Sequence, residues 1–173
     1  MSHPLIVRSV VVGDRAQWES KTTGAALLPR VLLRCLWAAP ATAIGLALAG
    51  IACLLGATAR VEQGVLEVAG GRLAEWMGFL PCSMRILAIT FGHVVLGVSH
   101  SDLAQARDHE HAHVRQYERW GVLFFPLYLG SSGAQLVRGR HPYHDNAFER
   151  QACQAAASRE DRLAASRQVR FRV

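Results

Sequence analysis

None of the four cysteines (Cys35, Cys53, Cys82 and Cys153) stands in a C-x-x-C pair. The chain therefore proposes neither a zinc knuckle nor a disulfide framework. No internal repeat or low-complexity tract divides its 173 residues, which leave room for one compact domain and one additional segment. The net charge of +6 has a local source: six arginines stand between Arg150 and Arg172 against one glutamate and one aspartate. Neither a known reading motif nor a regular interleaving of aromatics accompanies them, so a nucleic-acid partner is not expected. The segment reads instead as a basic helix or tail, solvated or facing lipid headgroups.

Charge is also missing where it matters most. From Cys35 to Ala59, 25 consecutive residues carry no charged side chain. As a helix that run is about 37 Å long, enough to cross a hydrocarbon core of roughly 30 Å with some tilt. Buried core helices seldom run so long without a polar face. More than thirty residues precede the run, and it is longer than the apolar core of a cleaved signal, so an uncleaved signal anchor fits better. Arg30 and Arg34 stand before it, with Arg15 and Lys21 further back, and Arg60, Glu62 and Glu67 follow. That asymmetry favours a cytoplasmic N-terminus and an extracytoplasmic C-terminal domain. The expected organisation is a cytoplasmic segment over 1–29, a transmembrane anchor over 30–58, a compact domain over 61–155 and a basic tail over 156–173.

Along the chain, residues 1–28 show no clear period and read as loosely ordered, and Pro40 can kink the span. Val61 to Val68 ends in Ala69-Gly70-Gly71, a strand followed by a turn. Arg72 to Gly78 reads as a short amphipathic helix. Ile86 to Val98 reads as one buried strand, bent at Gly92. Ser101-Asp102 offers a cap for a helix running to Trp120, where Gly121 can end it. Val122 to Val137 is uncharged but short, interrupted by Ser131-Ser132-Gly133 and closed by Arg138 and Arg140. A last helix is expected to start near Asp145 or Asn146.

The chemistry lies in His109-Glu110-His111-Ala112-His113. Histidines four apart on a helix project about 40° from one another and about 6 Å along the axis, so both imidazoles can reach one metal ion. Glu110, on the adjacent face, is placed to act as general base towards a water that the metal activates. This is the mechanical content of H-E-x-x-H. With eight histidines in the chain, the pattern arises by chance in roughly one or two shuffled chains per hundred, so further support is needed. It comes from Asn146-Ala147-Phe148-Glu149-Arg150-Gln151-Ala152, which sets a carboxylate on a second helix 36 residues after His113. His-His-Glu with an open fourth position is a catalytic zinc set. His141, His144 and Asp145 are rival third ligands. Ala152, on the face of Glu149, is small enough to let the two helices approach.

These two segments, within about residues 86–155, resemble the gluzincin side of the zincin metallopeptidases, and among them compact bacterial, membrane-associated members. The resemblance implies an α+β, zincin-like domain with Zn2+ held by His109, His113 and Glu149, and Glu110 as catalytic base. It further implies that the strand before the metal helix, here Ile89 to Val98, pairs with an extended substrate. There is no long metzincin motif, and no residue matches the family's oxyanion-stabilising His or Tyr.

Around this set, Gln116 falls on the metal face one turn later, and Asp108 and Asn146 are placed to hydrogen-bond a ligand. Tyr117, Tyr128, Tyr143 and His144 are hydroxyl or imidazole groups that can stabilise an oxyanion. His93 reads as a core or edge histidine, and His111 as an exposed one. A shared metal also constrains the membrane topology. Were Val122 to Val137 to cross the bilayer, Glu149 would emerge opposite His113, so that segment must pack in the domain or lie against the lipid. The resulting expectation is a membrane-anchored, single-pass zinc metallopeptidase at a bacterial inner membrane. Its expected partners are a peptide or protein substrate and the lipid bilayer. The rival readings are a non-catalytic zinc-binding interaction protein and a zinc hydrolase of non-peptide bonds.

Overall fold

The computed structural model describes residues 13–78 and 87–170. Residues 1–12, Cys82, Ile86 and the last three residues of the expected tail lie outside them. The chain divides into two units, residues 1–33 and 34–173. Helix α1 (Gly13–Leu54) is followed by strands β1 (Thr58–Glu62) and β2 (Val65–Ala69) and the short helix α2 (Leu73–Gly78). Strands β3 (Ala88–Phe91) and β4 (Val94–Gly97) then lead into helices α3 (His100–Trp120), α4 (Phe124–Val137) and α5 (Ala147–Arg170). The fold is α+β, with a four-stranded sheet in the order β1-β2-β4-β3.

Two stretches expected as single strands are hairpins. Between β1 and β2, Gln63 and Gly64 both take positive φ (53° and 84°), as a two-residue turn of type I′ requires. Between β3 and β4 the turn begins with Gly92 at φ 59°. A Cβ there would meet the backbone and hydroxyl of Thr42, so the tight reversal needs glycine twice over. β2 and β4 pair in parallel, and both β1–β2 and β3–β4 pair antiparallel.

Strand alternation sorts side chains onto the two faces of the sheet. Val68, Val94 and Leu96 meet Ala49 and Ala52 of α1. Val65, Ala69 and Val95 meet Leu103 and Val114 of α3. The central strands are thus covered on both sides, which explains why Val94 to Gly97 are buried without exception. α1 approaches closely because it offers small residues: Ala38, Ala41, Ala49 and Ala52 are buried. A Cβ on Gly45 would stand 2.8 Å from both the Phe91 carbonyl oxygen and the Val94 Cβ.

The N-terminal segment differs from expectation over residues 13–28, which are helical and belong to α1. The stretch Val31–Leu54 is long and apolar enough to cross a membrane, with mean hydropathy 1.8. α1 stops at Leu54, however, and Thr58 already belongs to β1, so the expected anchor of 30–58 is not helical throughout. Helix α3 starts one or two residues earlier than expected, because the Ser99 hydroxyl accepts the Asp102 backbone N–H. Gly121, at φ 55°, ends it and opens a single 3₁₀ turn over Gly121–Leu123. The basic segment is helical: α5 runs through Ala152 into the arginine-rich end and reaches Arg170.

Candidate metal centre

α3 carries two working faces. Towards the sheet it presents Leu103, Arg107, Glu110 and Val114. Arg107 donates to both carboxylate oxygens of the buried Glu67 (2.7 and 2.9 Å). Towards α5 it presents His109, His113 and Gln116. His111 is the residue whose expected exposure the structure corrects: it is buried, and its Nε2 has no hydrogen-bond partner. Burial lowers its pKa and keeps it neutral. With both faces of α3 covered, the position between them is enclosed as well.

The start of α5 is tied down by Asn146, which is wholly buried. Its Oδ1 accepts the Phe148 backbone N–H (2.9 Å), while its Nδ2 donates to the Tyr128 carbonyl (3.0 Å) and the Ser132 hydroxyl (2.7 Å). Asn146 therefore registers α5 against α4 rather than touching the metal face. Ala152 is fully buried, as its small size predicted. This places Glu149 opposite His109 and His113.

Ligand atoms of His109, His113 and Glu149 lie within 4.8 Å of one another, a grouping that can hold a metal ion. The two Nε2 atoms are 3.1 Å apart. Glu149 Oε2 stands 3.2 Å from His109 Nε2, and Glu149 Oε1 3.4 Å from His113 Nε2. Donors bonded tetrahedrally to a cation at about 2.1 Å would be separated by about 3.4 Å, close to what is found.

Hydrogen bonding sharpens the case. Gln116 Nε2 donates to the Phe148 carbonyl (3.0 Å) and to Gln151 Oε1 (2.9 Å), which fixes the orientation of its amide. Its Oε1 then accepts from His113 Nδ1 (2.8 Å), so in the neutral ring Nε2 carries the lone pair. His109 Nδ1 likewise faces Cys153 Sγ at 3.7 Å, leaving its Nε2 towards the cluster. Both Nε2 atoms thus converge on one carboxylate; burial lowers the His113 pKa, but contact with Glu149 overrides it and raises it. Glu149 Oε2 is buried and makes no aligned hydrogen bond despite its 3.2 Å approach to His109. A cation bound here would satisfy all three at once.

Burial by itself would raise the Glu149 pKa, but contact with His109, His113 and the Tyr128 hydroxyl overrides it and holds the carboxyl well below its usual range. The Tyr128 hydroxyl donates to Glu149 Oε1 at 2.7 Å. Tyr128 is thus engaged with the ligand, rather than free as the oxyanion donor its sequence position allowed. Burial, reinforced by Glu149, raises the Tyr143 pKa and keeps its hydroxyl protonated. Glu110 is buried and accepts a hydrogen bond from the Thr90 hydroxyl of β3 at 2.7 Å.

No known family model, curated protein or solved structure matches this chain. What the centre can do must come from its own geometry.

The remaining expectations fall out plainly. His141, His144 and Asp145 are occupied with one another. The His144 backbone N–H donates to His141 Nδ1 (3.1 Å), and the His141 N–H donates to Asp145 Oδ2 (2.9 Å). The two rings are 4.4 Å apart and His144 is exposed. Asp108 pairs with Arg159 at 3.0 Å and is no partner of a ligand. Tyr117 packs in the core with Ala38, Ala41 and Phe124. His93 sits in the β3–β4 turn, its Nδ1 3.1 Å from the Thr42 hydroxyl. Thr90 and Cys153 were not anticipated. Cys153 lies one helical turn after Glu149, a spacing that could have drawn attention to it; nothing in the chain marks Thr90.

Gln116 gives the centre a quantitative test. In Gln116→Ala, His113 loses the group that fixes its tautomer and ring orientation. The expected result is a 10- to 100-fold weaker metal affinity, roughly, with the fold intact. Competition titration with a chromophoric chelator, beside circular dichroism, measures both.

Proposed function

We propose that this protein is a zinc-dependent peptidase attached to a membrane by α1, with Glu110 as its general base. The observation that carries the reading is the convergence of three electron-rich atoms from His109, His113 and Glu149 beside an oriented, buried Glu110. Two histidines and a glutamate form a donor set used by catalytic zinc, with one position left open. When bound, zinc would act as a Lewis acid towards a water molecule and the scissile carbonyl.

The chain's own residues supply the rest. Glu110, steered by Thr90, takes the proton of the attacking water and hands it to the departing amine. Tyr143, kept protonated, is the hydroxyl available to the oxyanion. The strand expected to pair with substrate narrows to β3, because β4 is enclosed between β2 and β3 while β3 has no further neighbour among the described residues. An extended peptide added along that edge gains backbone hydrogen bonds, with Thr90 and Glu110 next to it. The zincin-like character of the domain belongs to this reading. So does its placement at a bacterial inner membrane, with the arginines before the apolar stretch favouring a cytoplasmic N-terminus.

Proteolysis of an unstructured protein such as casein by the detergent-purified chain tests it directly. Cleavage should fall to background after treatment with 1,10-phenanthroline and return when Zn2+ is added back. Cleavage indifferent to the chelator would refute the metal mechanism.

A further inference from the structure

Helix α1 has two faces of unlike size. Its small residues are buried against the sheet and Tyr117, whereas Leu36, Ile44 and Ile51 are exposed by half or more. α4 repeats the pattern. Phe124 and Tyr128 pack inwards with Tyr117 and Phe148, while Phe125 and Leu129 are 54% and 52% exposed. The two helices meet at the 3₁₀ turn, where a Cβ on Gly121 would stand 2.6 Å from the Trp37 ring. Val122 to Val137 contains no charged residue, and Arg138 and Arg140 follow at once. Adjoining apolar faces of this kind are more than a soluble monomer ordinarily exposes. Tryptophans (Trp37, Trp120) at one end of α4 and arginines at the other suit the headgroup boundary of a bilayer.

We propose that the outer faces of α1 and α4 sit together in membrane hydrocarbon, so that the substrate is a peptide segment embedded in the bilayer or emerging from it. The substrate class rests on the peptidase reading above; the seating does not. At 14 residues, α4 is about 21 Å long, too short to cross a core of roughly 30 Å, so it lies within one leaflet. This keeps Glu149 on the side of His113. Tyr128 reaches from the inner face of α4 to Glu149 at 2.7 Å while its neighbours Phe125 and Leu129 face outwards. One helix thickness, about 10 Å, then separates the metal centre from lipid. A peptide segment leaving the bilayer needs to travel little further than that.

The test uses the full chain, its native cysteines replaced by serine and its zinc content checked, in phosphatidylcholine–phosphatidylglycerol liposomes. Single cysteines replace Phe125, Leu129 or, as a water-facing control, Val61 of β1, which is 71% exposed. Phe125→Cys and Leu129→Cys should react with a water-soluble maleimide at least about tenfold more slowly than Val61→Cys, as exclusion from water requires, with the difference lost in denaturant. A fluorophore at Leu129→Cys should be quenched by nitroxide-labelled lipid. The zinc-loaded chain should cleave a reconstituted single-span peptide in preference to casein. Fast labelling at 125 and 129, or protection without lipid quenching (a second copy of the chain on this face), overturns the seating even if casein is cleaved. Quenching with preferred cleavage of casein overturns the substrate class. Quenching with no zinc-dependent cleavage of either substrate keeps the seating and removes the peptidase reading instead.

Discussion

Glu110→Gln is expected to lower zinc-dependent peptide hydrolysis by about 10²- to 10⁴-fold, the usual worth of a positioned general base. Zinc content should stay at the wild-type level. The substitution is nearly isosteric, and the amide oxygen can still accept the Thr90 hydroxyl that now reaches Glu110 Oε2 at 2.7 Å. What is lost is the ability to take a proton. Glu110 stands one residue along α3 from His109 but is absent from the metal-binding group, so its replacement leaves the three donors in place. Measured turnover and elemental analysis on the same preparation separate the readings. A non-catalytic zinc-binding protein would show no activity to lose, and wild-type turnover in the variant would remove Glu110 from the mechanism.

The second large effect concerns the metal itself. His113→Ala and Glu149→Ala should each bring bound zinc from about one per chain to a small fraction of that, because a two-donor remnant does not hold the ion against water. His113→Ala also leaves the Gln116 carbonyl without the Nδ1 donor it accepts at 2.8 Å. In Glu149→Ala the Tyr128 hydroxyl loses its acceptor. Glu149→Gln keeps a partner for Tyr128 and removes the anionic donor, so zinc loss in that variant isolates ligation from packing. Zinc retained in both Glu149 variants would move the third donor elsewhere. Among the described residues His141 Nδ1 and Asp145 Oδ2 are already engaged within their own turn, which leaves the exposed His144 imidazole as the rival to test.

The pairing of His109 with His113 was legible because its geometry is local. Two histidines four apart on one helix face the same way whatever surrounds them. The C-terminal limit of α3 was legible for the same reason, through Gly121, whereas its cap is Ser99 and not the expected Ser101-Asp102. The two hairpins were not. β2 and β4 are covered on both faces, so their side chains show no period-two alternation, and the turns at Gln63-Gly64 and Gly92-His93 sit inside what read as continuous strands. His111 was misjudged because burial on one face of α3 was counted and burial on the other was not.

What the chain by itself determined was therefore set by neighbours in sequence: a long uncharged stretch from Cys35, a helix carrying His109, Glu110 and His113, and a carboxylate in the first turn of a later helix. Only the tertiary structure decided the company these residues keep. Thr90 and Tyr128 reach Glu110 and Glu149 because a sheet and a half-exposed apolar helix bring them there, and Gln116, three residues after His113 on α3, has its amide oriented by Phe148 and Gln151 of α5. Two of these contacts, Thr90 to Glu110 and Tyr128 to Glu149, span 20 and 21 residues of chain. No local rule links residues so far apart; the packing of α1, the sheet and α3 into layers does, because buried polar groups must find partners wherever the fold leaves them.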